Sequence, residues 1–245
     1  MPRYRLTLEY DGRPFVGWQR QNSGPSVQAA LEAALVKFTG EAPVTTAAGR
    51  TDTGVHALGQ VVHFDLARMW DPIKICGAVN YHMRPDPIVA VDAACVPDAF
   101  NARVSALRRS YLFRILNRRF PSAFDAGRVW HIDEPLDVDA MHHAAQALVG
   151  HHDFTSFRSS ECQAKSAIKT LDRLDVRRVG EEIHIDAVAR SFLHHQVRNF
   201  TGTLRSVGEG KWSRRDVETA LAKRDRRAAG PTAPPGGLYL VSVDY

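Results

Sequence analysis

A short polar loop between two glycines is the stretch of this chain best suited to carry chemistry. Its sequence is Gly49-Arg50-Thr51-Asp52-Thr53-Gly54-Val55-His56-Ala57, and it lies just before a predicted strand. Loops commonly carry functional side chains, and the glycines permit a sharp backbone that would present Asp52 on a tight turn. A guanidinium keeps a nearby carboxylate ionised, as a nucleophile or base must be. Arg50 is close enough in sequence to pair with Asp52 or to hold a phosphate beside it.

A structural role for Asp52 is the alternative. Aspartate side chains in loops often bond to their own backbone two residues on, forming an Asx-turn. The residues of the loop alone leave open whether Asp52 reacts or only shapes the turn.

The histidines raise a second possibility, a metal-dependent hydrolase. Neighbouring residues on a helix point in different directions, and no H-E-x-x-H motif or similar carboxylate spacing accompanies the histidines. Phosphate-binding glycine motifs of the P-loop and dinucleotide types are also missing from the sequence, which disfavours a nucleotide cofactor. We therefore expect neither a metal nor a cofactor. Six of the 11 histidines form adjacent pairs: His142-His143, His151-His152 and His194-His195.

Basic residues are concentrated in two runs. The formal net charge is +5, and 26 of the 32 lysines and arginines are arginine, whose planar fork suits phosphate. Two such runs fit a polyanionic partner, although each is also compatible with an ordinary solvated face. The first basic run comprises Arg103, Arg108, Arg109, Arg114, Arg118 and Arg119. The second comprises Arg214, Arg215, Lys223, Arg224, Arg226 and Arg227.

Composition excludes several protein classes. Charged residues make up 24% of the 245 residues, mean hydropathy is -0.27, and no apolar stretch approaches the ~20 residues that span a bilayer. The N-terminus has no apolar signal core, so we expect a cytoplasmic protein without membrane association. Three widely spaced cysteines indicate neither a disulfide framework nor a zinc finger.

Hydrophobic periodicity predicts an α+β protein with a mainly antiparallel sheet. The order of helices and strands is mixed and includes hairpins, which favours two α/β halves sharing one mixed sheet, residues 1–105 and 106–245. Strands are predicted at 3–10, 61–64, 88–96, 108–116, 169–178, 183–190 and 238–245. Helices are predicted from Ser26 to Gly40, from Asp71-Pro72, from Asp137 to near Gly150, at 191–207 and at 213–223.

The loop and several later motifs together resemble the TruA family of tRNA pseudouridine synthases. The loop matches the family signature G-R-T-D-x-G-V-H-A, and the other motifs follow in order along the whole chain. They are Tyr10-Asp11-Gly12, Gly17 to Gln21, Phe100 to Arg103, Arg109-Ser110-Tyr111, His152 to Phe157, Leu193 to Asn199 and Gly237 to Val241.

The resemblance implies a function and a fold. The family isomerises uridine to pseudouridine at positions 38 to 40 of the tRNA anticodon stem-loop, without cofactor or essential metal. It implies the pseudouridine synthase fold, and a homodimer whose basic cleft holds one tRNA across both subunits. Because isomerisation oxidises nothing, the reaction needs no redox cofactor.

The resemblance also assigns site residues. The catalytic aspartate falls on Asp52, the active-site tyrosine on Tyr111, the aspartate-pairing arginine on Arg198 and the apolar wall of the base pocket on Leu238. The target base must leave its stack, and Tyr111 would stack on it. Asp52 would attack ribose C1′ or remove the C2′ proton to give a glycal, and both routes stay open. Without the resemblance, Tyr111 and Leu238 would be interpreted as core residues and Arg198 as a surface residue. A non-catalytic RNA-binding protein is the remaining rival.

Overall fold

The computed structural model describes residues 1–245, which form five α-helices and ten β-strands joined by loops and short 3-10 turns. The strands are β1 (Arg3–Tyr10), β2 (Thr46–Ala47), β3 (His56–Asp65), β4 (Ile88–Val96), β5 (Arg108–Asn117), β6 (Trp130–Ile132), β7 (Gly150–Asp153), β8 (Ile168–Val179), β9 (Glu182–Ala189) and β10 (Leu238–Asp244). The helices are α1 (Val27–Thr39), α2 (Pro72–His82), α3 (Val138–Ala145), α4 (Gln196–Gly208) and α5 (Arg214–Lys223).

The chain forms two compact units. The first contains Met1–Leu107 together with Tyr239–Tyr245, and the second contains Arg108–Leu238. The predicted halves, 1–105 and 106–245, assign the last strand to the second half. The structure instead places residues 239–245 in the first unit, because β10 pairs in parallel with β3 through Tyr239 opposite His56.

The first unit is built on a mixed sheet with strand order β4-β1-β3-β10, and β2 pairs with β3. Strand β1 is antiparallel to both neighbours, so that Leu6 lies opposite Val62 on β3 and Ala93 on β4. The strand predicted at 3–10 is confirmed, and its alternate residues Tyr4, Leu6, Leu8 and Tyr10 are buried.

Both helices of the first unit begin where the sequence predicts, and α1 also ends there. Ser26 caps α1 by accepting a hydrogen bond from the Ala29 amide, and Gly40 ends the helix with a left-handed φ of 75°. Asp71 caps α2, and proline occupies its first turn, where a missing N–H costs nothing.

The second unit is built on strand order β5-β9-β8-β7, with β6 pairing in parallel with β5. The predicted hairpin is confirmed, since β8 and β9 are antiparallel and joined at Gly180, which has a φ of 58°. A cluster of buried rings from Phe154, Phe157 and Phe200 joins α4 to the residues after β7, with centroids 5.1 to 6.4 Å apart.

Two predicted helices of the second unit are too long. The helix expected over 191–207 begins only at Gln196, because His195 adopts a left-handed φ of 63° that α-helix cannot include. The helix capped by Asp137 ends at Ala145 and continues as a 3-10 turn, Gln146–Leu148, before Gly150 starts β7.

The α+β class and the mainly antiparallel strand pairing are confirmed in both units. None of the five helices has the length and apolar character that a membrane-spanning segment requires.

Candidate active site

Asp52 is the first residue of a β-turn, as the glycine-bounded loop predicts. The Val55 amide donates a hydrogen bond to the Asp52 carbonyl over 3.1 Å, and Gly54, third in the turn, has a φ of 75°. Glycine is favoured at that position because a side chain would strain the left-handed backbone. The Asp52 side chain is half-buried.

The turn is fixed against the segment that follows β1 by unusually close backbone approaches. A Cβ atom on Gly12 would lie 2.0 Å from the Val55 carbonyl oxygen, and one on Gly17 would lie 2.6 Å from that of Thr51. The Trp18 amide also donates to the Thr51 carbonyl over 3.1 Å. These contacts require glycine at both positions, so the main chain on either side of Asp52 is held from outside the loop.

A buried hydroxyl pair anchors the residue before Asp52. The Tyr10 and Thr51 hydroxyl oxygens are 2.8 Å apart, and both side chains are buried. Burial raises the pKa of Tyr10 to about 12, although its hydrogen bonds oppose the shift. The pair is therefore neutral over the physiological range, and it fixes the Thr51 side chain without placing a charge beside Asp52.

His56, at the end of the loop, is a structural histidine. Its Nδ1 accepts a hydrogen bond from the Gly12 amide over 3.0 Å, so the proton of the neutral ring lies on Nε2. The ring stacks on Tyr239 with centroids 4.7 Å apart. Asp11 Oδ1 lies 3.3 Å from the same Nδ1, and the Asp11 carboxylate also accepts a hydrogen bond from Arg13 Nε over 2.9 Å.

Arg50 is exposed and forms no hydrogen bond or ion pair within the chain. Of its two predicted uses, pairing with Asp52 is therefore wrong. The guanidinium points to solvent, and binding a phosphate stays a prediction.

Tyr111 lies on β5 in the second unit, opposite the small Ala187 of β9. Its ring meets Phe192 edge to face, with centroids 5.1 Å apart and an interplanar angle of 82°. Phe113, two residues on, is fully buried, whereas Tyr111 is only half-buried. A half-buried aromatic with one edge fixed is suited to presenting its ring to a base.

Arg198 lies in the first turn of α4, where its Nε donates to the Ala233 carbonyl over 2.8 Å. The Ala233 amide returns a bond to the Arg198 carbonyl over 3.1 Å, so side chain and backbone are fixed to the same residue. The helix begins after left-handed His195, whose ring lies 4.0 Å from that of His194. Non-glycine residues with such a backbone cluster at functional sites.

Leu238 is buried at the start of β10, after the short turn Pro235–Gly237. A Cβ on Gly237 would lie 2.6 Å from the Phe113 ring and 2.7 Å from the Arg114 carbonyl oxygen. The turn is thus pressed onto β5, which fixes the direction in which Leu238 leaves it.

Part of the charge of the first basic run is paired within the protein. In the first basic run, Arg114 pairs with Glu182 and Arg118 with Glu181, each over 2.6 Å, and Arg109 is buried. The Arg114 hydrogen bond lowers the pKa of Glu182 despite burial. Arg114 and Arg118 are therefore neutralised within the protein.

Sequence reasoning missed the residues that support Asp52. From the sequence, Tyr10 is an ordinary core residue of a strand. His56 is only one residue of the loop motif, and its hydrogen bond to the Gly12 amide is not predicted. The sequence feature that could have found them is the Tyr10-Asp11-Gly12 motif. Tyr10 pairs with Ala57 in the sheet, which brings this motif beside the aspartate loop.

The match of the chain to known proteins is extensive. A model of the tRNA pseudouridine synthase family matches residues 7–103 and 144–245. The chain belongs to the tRNA pseudouridine synthase family. Relatives called tRNA pseudouridine synthase A are 60% identical in Rhodospirillum centenum and 58% identical in Parvibaculum lavamentivorans, with both chains covered completely. The relative of the same name in Rhizobium leguminosarum bv. trifolii is 56% identical over the whole of this chain and 92% of its own.

Membership of the tRNA pseudouridine synthase family covers both units. The matched ranges contain the Asp52 loop and the α4 segment, and they leave out 104–143, which includes Tyr111. The relatives align over the entire chain, so the Tyr111 strand lies within the shared sequence.

Proposed function

We propose that this chain isomerises uridine to pseudouridine in the tRNA anticodon stem-loop, at positions 38 to 40, and that Asp52 is the nucleophile. Membership of the family supports the reaction class, and the relatives' names support tRNA as the substrate. The observation that carries the role of Asp52 is its place on a turn fixed by Gly12 and Gly17. A carboxylate held by backbone contacts is pre-organised for attack.

The reaction leaves the atomic composition of the uridine unchanged. The bond from ribose C1′ to uracil N1 breaks, the base rotates, a bond from C1′ to C5 forms, and the C5 proton leaves while N1 gains one. An ionised Asp52 serves either as nucleophile at C1′ or as base at C2′, which gives the glycal. Both routes need the charged carboxylate, so replacing it by an amide stops either one.

The remaining residues take the roles that the family resemblance implies. Tyr111 stacks on the flipped base and takes part in moving the C5 proton, Leu238 lines the base pocket, and Arg198 keeps the catalytic carboxylate ionised. Arg50, exposed and without a partner in the chain, is positioned to hold a phosphate of the RNA. We further propose that the protein acts in the cytoplasm as a homodimer, without cofactor or metal.

The experiment is incubation of the purified protein with an unmodified tRNA transcript, followed by nucleoside analysis and mapping of the modified positions. We expect pseudouridine at positions 38 to 40 and none in a matched transcript carrying cytidine there. Tight binding without any pseudouridine would overturn the proposal and leave a non-catalytic RNA-binding protein.

A further inference from the structure

A cavity of about 370 Å³ in the second unit is lined mainly by cations and hydroxyls. It lies between the turn after β7 and the segment that follows α5, two stretches far apart in sequence. Four arginines, three hydroxyl residues and one carboxylate line it. The arginines are Arg158, Arg224, Arg226 and Arg227, and the others are Thr155, Ser159, Ser160 and Asp225.

The carboxylates near the cavity do not balance this charge. Arg227 pairs with Asp225 over 2.7 Å, and Arg224 lies 3.5 Å from Asp153. Arg158 donates no hydrogen bond within the chain, and it interacts electrostatically with Asp153, the same carboxylate that Arg224 approaches. Four positive groups therefore face two negative ones, and the surplus charge favours an anion.

Arg226 contributes a fixed cation to the wall of this cavity. Its guanidinium donates to the Gly230 carbonyl over 2.9 Å, to the Thr232 hydroxyl over 3.0 Å and to the Asn199 amide oxygen over 3.1 Å. All these acceptors are neutral, and burial lowers the pKa of Arg226. A partly buried guanidinium without a carboxylate partner is stabilised by an external anion.

We propose that this cavity binds a phosphate group of the RNA substrate. Guanidinium forks and serine hydroxyls are the side chains that hold phosphate oxygens, and contacts of this kind position an RNA without reading its sequence. The inference rests on the proposed function, because it takes tRNA as the substrate.

The contacts of the cavity wall link it to the start of α4. Asn199, which accepts from Arg226, directly follows Arg198. On the opposite wall, the Ser159 amide donates to the His194 carbonyl over 2.9 Å. A phosphate bound here is therefore one contact away from the segment that carries Arg198, and it would hold the RNA in register with that segment.

The test compares Arg158→Ala with Arg68→Ala in binding of a labelled anticodon stem-loop RNA over a series of salt concentrations. Arg158 donates no hydrogen bond and shares Asp153 with Arg224, so we expect its removal to leave the fold intact, and thermal unfolding verifies this. Arg68 is the matched control because it is an exposed arginine without a partner, outside the cavity. We expect Arg158→Ala to weaken binding about tenfold at 0.1 M salt and to reduce the salt slope by about one, while Arg68→Ala binds like the wild type.

A second arm titrates inorganic phosphate against wild type and Arg158→Ala at constant ionic strength. Equal RNA affinities for all three proteins would overturn the proposal. Phosphate binding that depends on Arg158, combined with unchanged RNA affinity, would also overturn it by showing a site for free phosphate. If the wild type binds RNA through Arg158 but forms no pseudouridine, the proposed function fails while the phosphate site stands.

Discussion

The Asp52 loop of the first unit and the start of α4 in the second unit differ in the contacts that mainly position them. The loop is fixed by main-chain contacts, with Gly12 and Gly17 pressed against its carbonyls. The start of α4 has main-chain hydrogen bonds at His194 and Arg198, and a network of buried side chains adds to them. There the buried Asn199 donates to the Phe157 carbonyl over 2.8 Å and accepts from Thr232 over 2.7 Å.

The difference reflects what each segment presents. A short aspartate side chain follows its backbone closely, so the backbone must be placed accurately. A long arginine such as Arg198 is placed through its own guanidinium contacts. Substitutions should therefore act through backbone fit in the loop and through hydrogen-bond loss at α4.

The largest effect is expected from Gly17→Ala. A side chain there is strained by a φ of 108° and meets the Thr51 carbonyl oxygen at 2.6 Å, so we expect a loss of about 4 kcal/mol in unfolding free energy and about 100-fold in activity. Gly40→Ala is the control, because its φ is 75° but nothing lies within 4 Å. It should cost about 1 kcal/mol and leave activity intact. Similar losses in both variants, measured by denaturant unfolding and kinetics, would refute backbone control of the loop.

The next effect is expected from Asn199→Ala. The change removes the partner of the Phe157 carbonyl and an acceptor shared by Thr232 and Arg226, within a buried network. We expect the free energy of unfolding to fall by about 3 kcal/mol. A loss under 1 kcal/mol in chemical denaturation would contradict the account of the α4 network.

Alkaline pH should destabilise the protein through Tyr10. Its pKa is about 12 when folded and about 10 when unfolded, so its stabilising contribution is complete below pH 10 and is lost as the pH rises towards 12. The loss amounts to about 3 kcal/mol over this interval, and Tyr10→Phe should abolish that part of the pH dependence. Tyr81→Phe, which alters an exposed tyrosine, serves as control. Identical alkaline unfolding profiles for wild type and Tyr10→Phe would disprove the burial of this hydroxyl.

The smallest effect is expected from Thr51→Val, which keeps the shape of the side chain but removes its hydroxyl. Loss of the bond to Tyr10 should cost about 1 kcal/mol and lower kcat about tenfold with little change in KM. Thr51→Ser restores the hydroxyl and should recover most of the rate. If the serine variant is as slow as the valine variant, the hydroxyl pair does not position Asp52.

Local signals in the sequence predict the elements well where one residue decides the outcome. Ser26 and Gly40 bound α1 because capping depends on neighbours in sequence. The sequence predicts the start of α4 too early, because a histidine does not by itself predict the left-handed backbone that His195 adopts. The parallel pairing of β10 with β3 joins residues about three quarters of the chain apart, and hydrophobic periodicity cannot predict such a pairing.

In the candidate site, too, features that depend on neighbours in sequence are predictable, and features that depend on distant contacts are not. Asp52 is predictable because its loop is unusual by itself, and its glycines explain the turn. The neutralisation of Arg114 by Glu182 is not predictable, because the partner comes from another strand. The cavity likewise joins Arg158 to arginines more than sixty residues away, so counting charges along the sequence cannot find it.

Tritium release from tRNA labelled at uridine C5 tests the central claim most directly, with wild type and Asp52→Asn compared at saturating protein in the presence of chelator. Binding of the same RNA is measured in parallel. We expect release by the wild type, none detectable from Asp52→Asn, and similar RNA affinity for both. Release by Asp52→Asn at the wild-type rate would contradict the account and leave Asp52 as a residue of the turn.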